Sequence, residues 1–289
     1  MNAEEVKKLR DETGAGMLDC KKALEATKGD ITAAVDWLRE KGISKAADKT
    51  NRIAAEGLAD IMFNENKAVI LEMNCETDFV AKNPEFQELV KQVSTVILEN
   101  KVSLVEEVLE LSYQDQKIND LIIAKTAKIG EKLSLRRFKI IEKESDEKFG
   151  SYIHLGGKIA VLTVVKGDDV IAKEVAMHIA AMKPHVISEQ DLTPDEIAKE
   201  KAILKEQALA EGKPDAIAEK IVIGRLQKYF QEVCLLKQSY VKDPDITVEE
   251  FLQKNNTQLI SFMRYAVGEG MEKRDENFAD EVKNQMKKD

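Results

Sequence analysis

The sequence predicts an α+β fold, and three observations carry that prediction. Residues 53–73 and 151–165 each read as a strand, a tight turn and a returning strand, and each is followed by an amphipathic helix and a later strand. Residues 189–235 read as two long helices reversed at Gly212-Lys213-Pro214, inserted into the second of these units. The first forty or so residues break into three short helices at Gly14-Ala15-Gly16 and at Gly29.

Val6, Leu9 and Arg10 fall on the first helix, which ends at Thr13-Gly14-Ala15-Gly16. Met17, Cys20 and Leu24 fall on the second, and Asp30 caps a third bearing Ile31, Ala34, Val35 and Leu38. Lys41 to Asn51 is charged and short of bulky apolar residues, so it reads as a linker that completes an N-terminal module over residues 1–50.

A core subdomain is expected over residues 51–143. Ile53 to Phe63 is strand-like, Asn64-Glu65-Asn66 turns the chain, and Ala68 to Met73 returns. Asn83-Pro84 supplies an N-cap and a first-turn proline for a helix with Phe86, Leu89, Val90, Val93, Val96 and Ile97 on one face. Two more helical stretches follow, the second ending at Ala127-Lys128-Ile129-Gly130, and a strand then runs from Leu133 to Ile141.

A second, related subdomain is expected over residues 144–273. Ser151 to His154, a Gly156-Gly157 turn and Ile159 to Val165 make its hairpin. Gly167-Asp168 opens a helix bearing Ile171, Val175, Ile179 and Met182, and Gln258 to Val267 supplies the late strand. Within it, Thr193-Pro194-Asp195-Glu196 is a capping box that starts the helical hairpin, whose second arm carries Ile217, Ile221 and Leu226. Residues 274–289 read as a charged C-terminal helix with Phe278, Val282 and Met286 on one face.

Composition excludes several function classes. The chain has 289 residues, 43% of them apolar and 34% charged, enough for two or three modules with cores of their own. A formal net charge of −9 argues against a polyanionic partner, aromatics at 5% leave no base-stacking platform, and the short Arg136-Arg137 patch reverses neither, so no direct nucleic-acid contact is expected. No apolar run approaches the roughly 20 residues of a membrane span, and Met1 to Glu5 carry no signal-peptide pattern, which together predict a cytoplasmic protein. Cys20, Cys75 and Cys234 are odd in number and widely spaced, as expected of reduced thiols.

Catalytic apparatus is missing from the pattern. Gly14-Ala15-Gly16 follows no strand and has Asp19 where a dinucleotide loop needs its third glycine. Gly156-Gly157-Lys158-Ile159 lacks the spacing of a phosphate-binding loop. His178 shares an apolar helix face with Val175 and Met182 and reads as a satisfied core histidine, whereas His154 reads equally as a capped turn residue or a site residue. The expectation is a protein with no cofactor and no metal, and not an enzyme.

The stretch that stands out is Asn74-Cys75-Glu76-Thr77-Asp78-Phe79-Val80. It sets an acid and an aromatic on a tight connection between a strand and a helix, which is how a fold holds a short probe rigidly outward. Local sequence alone favours Phe79 folding inward, since apolar turn residues more often do.

Glu76-Thr77-Asp78-Phe79-Val80 resembles a signature of the translation elongation factor Ts family. So does Leu9 to Met17 followed by Lys22-Ala23-Leu24, and so do the turn from His154 to Ile159 and Gly268 to Lys273. The resemblance implies guanine-nucleotide exchange on elongation factor Tu and an N-terminal module similar to ubiquitin-associated domains. It implies that Asp78 and Phe79, flanked by Thr77 and Val80, intrude near the magnesium and phosphates of the partner's GDP site. It further implies that Arg10, Met17, Leu18, Ile129, Gly130 and His154 contact the same G domain. Leu18 stands where some relatives carry a second methionine, a volume-conserving difference, and Lys158 stands where relatives often carry arginine. The alternative reading is a non-catalytic structural adapter acting through the helical hairpin. Oligomeric state is left open, with a dimer or a higher-order complex both compatible.

Overall fold

The computed structural model of the chain describes residues 3–272, apart from residues 14, 48 and 50. Three helices, α1 (Ala3–Thr13), α2 (Met17–Ala26) and α3 (Ile31–Ala47), close on Val6, Leu9, Cys20, Ala23, Leu24 and Ala34. Next come β1 (Glu56–Phe63), β2 (Lys67–Cys75), the single turn α4 (Asp78–Ala81), α5 (Pro84–Glu99) and α6 (Val105–Glu110). The short strands β3 (Ser112–Tyr113) and β4 (Gln116–Lys117), then α7 (Ile118–Ile129) and β5 (Ser134–Glu142), complete the first half. The second half holds β6 (Glu147–His154), β7 (Ile159–Lys166), α8 (Asp169–Met182), α9 (Pro194–Ala210) and α10 (Asp215–Val233). It ends with β8 (Ser239–Tyr240), β9 (Asp243–Thr247), α11 (Val248–Lys254) and β10 (Gln258–Ala266).

The architecture is mixed helix and sheet. Two antiparallel three-stranded sheets have the same plan: the order is β1-β2-β5 in one and β10-β7-β6 in the other, with the second hairpin strand at the centre of each. The period of two in β2 divides its side chains between two cores. Val69, Leu71, Met73 and Cys75 pack on α5 and α7, against Phe86, Leu89, Val93 and Ile122. Ala68 and Ile70 face the other way and meet Ala160, Leu162 and Tyr265 between the sheets. Alanines on both inner faces let the sheets close, and helices cover the outer faces.

Glu72 shares the inner face of β2 with Ala68 and Ile70, and it is fully buried. Its carboxylate accepts from Arg136 Nη1 at 2.9 Å, Arg137 Nε at 2.7 Å, Asn74 Nδ2 at 3.1 Å and the backbone N–H of Gly268 at 2.8 Å. Arg137 also lies 4.2 Å over the Tyr265 ring and donates to the carbonyl of Ala266. Arg136-Arg137 is therefore no surface patch; it is the inward countercharge of a buried acid, and it joins the two sheets.

Several local expectations are corrected. The linker expected from Lys41 begins as helix, because α3 continues to Ala47. Gly42 lies flat against α7, where a Cβ would come within 3.4 Å of Ala127, and Arg39 Nη2 pairs with Asp120 Oδ2 at 2.6 Å. The part of α3 read as linker thus begins where the helix docks on α7. Met182 ends α8 just before a left-handed Lys183 and faces out. On α10 the buried line is Ala218, Val222, Leu226, Phe230 and Val233, one residue out of step with Ile217, which is exposed. The helix expected at residues 274–289 lies outside the described residues.

His178 is fully buried on α8. Gln238 uses its amide nitrogen on the carbonyls of Glu232 and Met182, so its oxygen faces His178 Nε2 at 2.9 Å and must accept from it. Nδ1 then accepts from the N–H of Val241 at 3.2 Å, and the ring is neutral. Burial pushes its pKa below the ordinary histidine range.

Two outcomes follow from these buried groups. Glu72→Ala strands two guanidinium groups in the seam and should lower unfolding free energy by about 3–5 kcal/mol in urea titration; a change within about 0.5 kcal/mol would show that water replaces the carboxylate at no net cost. An unfolded histidine titrates near about pH 6.5, above the folded value for His178, so its contribution is complete above that pH and is lost as pH falls through it. Melting temperature should start to drop as pH falls below about 6.5 and go on dropping toward the folded value, and His178→Gln should flatten that slope.

Candidate functional site

Strand β2 delivers the chain to α4, a helix of one turn, too short to persist alone. Thr77 is its N-cap, its hydroxyl accepting from the N–H of Val80 at 3.4 Å. Val80, 8% exposed, and Ala81 sit in the core with Phe86, so the turn is nailed down on one side. Phe79 lies on the other side and is 81% exposed. Phe79 therefore points outward, as the family resemblance implies and against the inward course favoured by local sequence alone, because Val80 takes the core position. Val80, expected among the contact residues, has almost no surface to offer and serves as an anchor. Asp78 is half exposed, and its carboxylate meets Lys82 Nζ, one helical turn on, at 2.7 Å. Lys82, and Lys158 at longer range, hold the Asp78 carboxyl below the usual carboxylate range.

Two carboxylates lock this turn to the loop after α7. Glu131 Oε2 accepts from the N–H groups of Glu76 and Thr77 at 3.1 and 3.0 Å, and Oε1 accepts from the Thr77 hydroxyl at 2.7 Å. Glu76 returns the bond, accepting from the N–H of Lys132 at 2.7 Å and pairing with Arg52 at 3.3 Å. Hydrogen bonds between ionised and backbone groups are among the stronger ones in proteins. This reciprocal clasp sets Ile129 and Gly130, the end of α7, beside Thr77 and Asp78. Gly130 is left-handed at φ 91°, the conformation that ends a helix and favours glycine. The role of Glu131 was not read from sequence; its one signal is a carboxylate placed directly after a helix-ending glycine.

The β6–β7 turn reaches the same edge. Ala59 of β1 donates to the carbonyl of Gly157 at 2.7 Å, and Lys158 forms an ion pair with Glu56. Glu56 opposes Cys75 in the sheet register, three residues before Asp78. Gly157 is held so close to β1 that a Cβ would come within 2.7 Å of Leu58. His154 Nδ1 lies 3.1 Å from the Tyr152 hydroxyl, and the two rings stack at 5.8 Å. Its carbonyl accepts from Gly157 and Lys158. Cys75 beneath the turn is inert: burial pushes its thiol up to about 12, and it donates to the carbonyl of Thr77.

Asp78, Phe79, Thr77, Ile129, Gly130 and His154 therefore come together at one end of the sheets. Arg10, Met17 and Leu18 do not join them; all three are exposed on α1 and α2. Their bundle instead rests, through α3, on the α7 helix that ends at Gly130. Among the described residues no His, Cys, Asp and Glu cluster could hold a metal ion, and no helix is long and apolar enough to cross a membrane.

The family model for elongation factor Ts matches residues 76–269, which is well over half of the chain and takes in the Asp78-Phe79 turn, the clasp, the β6–β7 turn and both arms of the helical hairpin. The chain belongs to the elongation factor Ts family, the nucleotide exchange factor for elongation factor Tu.

Proposed function

We propose that this protein speeds GDP release from elongation factor Tu by presenting Phe79 and Asp78 to the magnesium and phosphate region of the partner's G domain. The observation that carries the reading is an aromatic ring left almost wholly in solvent on a turn whose opposite side is packed into the core. A surface aromatic held this rigidly loses little conformational entropy on docking. Ile129 and Gly130 lead into the Glu131 clasp on Thr77, and His154 belongs to the turn pinned to Glu56, so the contact extends from the ring to them and, through Arg10, Met17 and Leu18, to the bundle. No bond is made or broken by this chain.

The thermodynamics require only differential binding. A factor that binds the nucleotide-free partner best loosens GDP, and GDP loosens the factor equally. Burying a phenylalanine yields roughly 2–3 kcal/mol, and each tenfold of coupling needs about 1.4 kcal/mol. If the pocket for Phe79 opens only in the exchange state, one to two decades of coupling come from this ring. Asp78 adds negative charge beside phosphates, which acts against the nucleotide-bound state. Its pairing with Lys82 blunts that repulsion, so the ammonium has to move aside for the full effect.

A second reading, a structural adapter that self-associates through the helical hairpin, draws support from Ile217 and Ile223, exposed on α10. Under that reading, removing the hairpin abolishes function while substitutions at Asp78 and Phe79 do not.

The deciding experiment is release of a fluorescent GDP from purified elongation factor Tu with and without this protein. Phe79→Ala should slow stimulated release by about ten- to a hundredfold with melting unchanged; a sharply lowered melting temperature would instead make Phe79 a packing residue. Asp78→Asn should leave GDP bound roughly fivefold more tightly in the presence of saturating factor. Lys82→Ala, which frees the carboxylate, should shift GDP affinity the opposite way. Equal GDP weakening by wild type and both variants would eliminate the charge component and leave the ring to act alone.

A further inference from the structure

The turn between β6 and β7 contains a residue that local structure does not explain. Three successive residues there have positive φ: Leu155 at 48°, Gly156 at 62° and Gly157 at 98°. Gly157 is dictated by its contact with Leu58 of β1, and Gly156 has open space around it. Leucine is out of place in the left-handed region, where its Cβ crowds the backbone and where glycine or asparagine would sit with less strain. The side chain gains nothing in return, since Leu155 is 71% exposed and belongs to none of the apolar clusters. In the free protein the residue is unfavourable twice over, by its backbone and by its exposed apolar surface.

We propose that Leu155 is a second apolar contact with elongation factor Tu, a specificity residue that docks beside Phe79 and sets affinity, not the exchange step. The inference rests on the exchange reading above and assigns this residue a role in it. Its position follows from the turn's anchorage: Gly157 and Lys158 are fixed to Ala59 and Glu56, and Glu56 opposes Cys75 just before the Asp78-Phe79 turn. Leu155 thus adjoins the edge that carries Phe79, with the His154 imidazole next to it. The surface it requires on the partner is an uncharged apolar patch, separate from the pocket that takes the aromatic ring. Conformational strain at a binding loop is a recurring use of sparsely populated backbone.

Leu155→Gly and Leu155→Asn relieve the backbone and remove the apolar side chain, so stability and binding should move in opposite directions. Melting temperature is expected to stay level or rise, while affinity for nucleotide-free elongation factor Tu, measured by calorimetry, falls about tenfold. Leu155→Met should retain most of the affinity. In the GDP-release assay both variants should need a higher concentration for half-maximal stimulation yet reach the wild-type rate at saturation, unlike Phe79→Ala. Wild-type affinity in Leu155→Gly and Leu155→Asn would overturn the proposal, and so would a parallel loss of melting temperature and affinity. Wild-type protein that binds the partner without speeding GDP release would overturn the exchange reading instead, and the calorimetric comparison would still decide whether Leu155 makes a contact.

Discussion

A carboxylate buried at the centre of the molecule is the constraint on which the two sheets depend. Glu72 sits midway along the central strand of one sheet, and its four partners come from β2, β5 and the chain just past β10. An isolated charge at that depth would be prohibitive, so β2 can take its place only when Arg136, Arg137 and Gly268 arrive with it. Buried ion pairs are poor evidence for stability as such, since apolar replacements often do as well. Their value here is geometric. An all-alanine seam between sheets could slide, whereas four directed hydrogen bonds to one carboxylate admit a single register.

That register reaches the candidate site through short covalent paths. Asn74 bonds Glu72 and the carbonyl of Glu56, Cys75 follows in the core, and Glu76 enters the clasp with Glu131 and Lys132. Every residue from 72 to 77 is thereby committed to a partner inside the protein before the chain reaches Asp78. A surface that works by differential binding gains from this arrangement, because interaction energy is not consumed in ordering the contacting residues. The ring of Phe79 has only its own side-chain torsions to fix.

Much of this was legible in the sequence, and the rest was hidden for identifiable reasons. Strands, turns and the face of α5 follow from period and caps: Asn64 accepts from Lys67 at the first turn, Asn83 caps α5, and Asp168 caps α8. The Asp78-Phe79 turn stood out as an acid and an aromatic between strand and helix. Local sequence alone favoured an inward Phe79, and the outward course came only with the family resemblance, since Val80 winning the core position is a matter of three-dimensional packing. Glu72 within an apolar run and Arg136-Arg137 within a distant strand gave no sign of each other, because sixty-odd residues separate them and charge pairing over that distance has no local signature. The length of α3 was missed for the same reason, as Arg39 and Gly42 lie against α7, a helix about eighty residues away in sequence.

Helix α7 carries one further implication. Its body bears the N-terminal bundle, through Arg39 on Asp120 and Gly42 on Ala127, and its end is clasped to the turn that presents Phe79. The bundle's contacts run along this one helix to within a turn of its clasped end. The bundle and the aromatic are therefore held like the two jaws of a fixed gauge, not like beads on a string. Under the proposed function, a partner gripped at both places would have to offer two receptive surfaces at a fixed spacing, and a change of shape that lost the spacing would release it at both together.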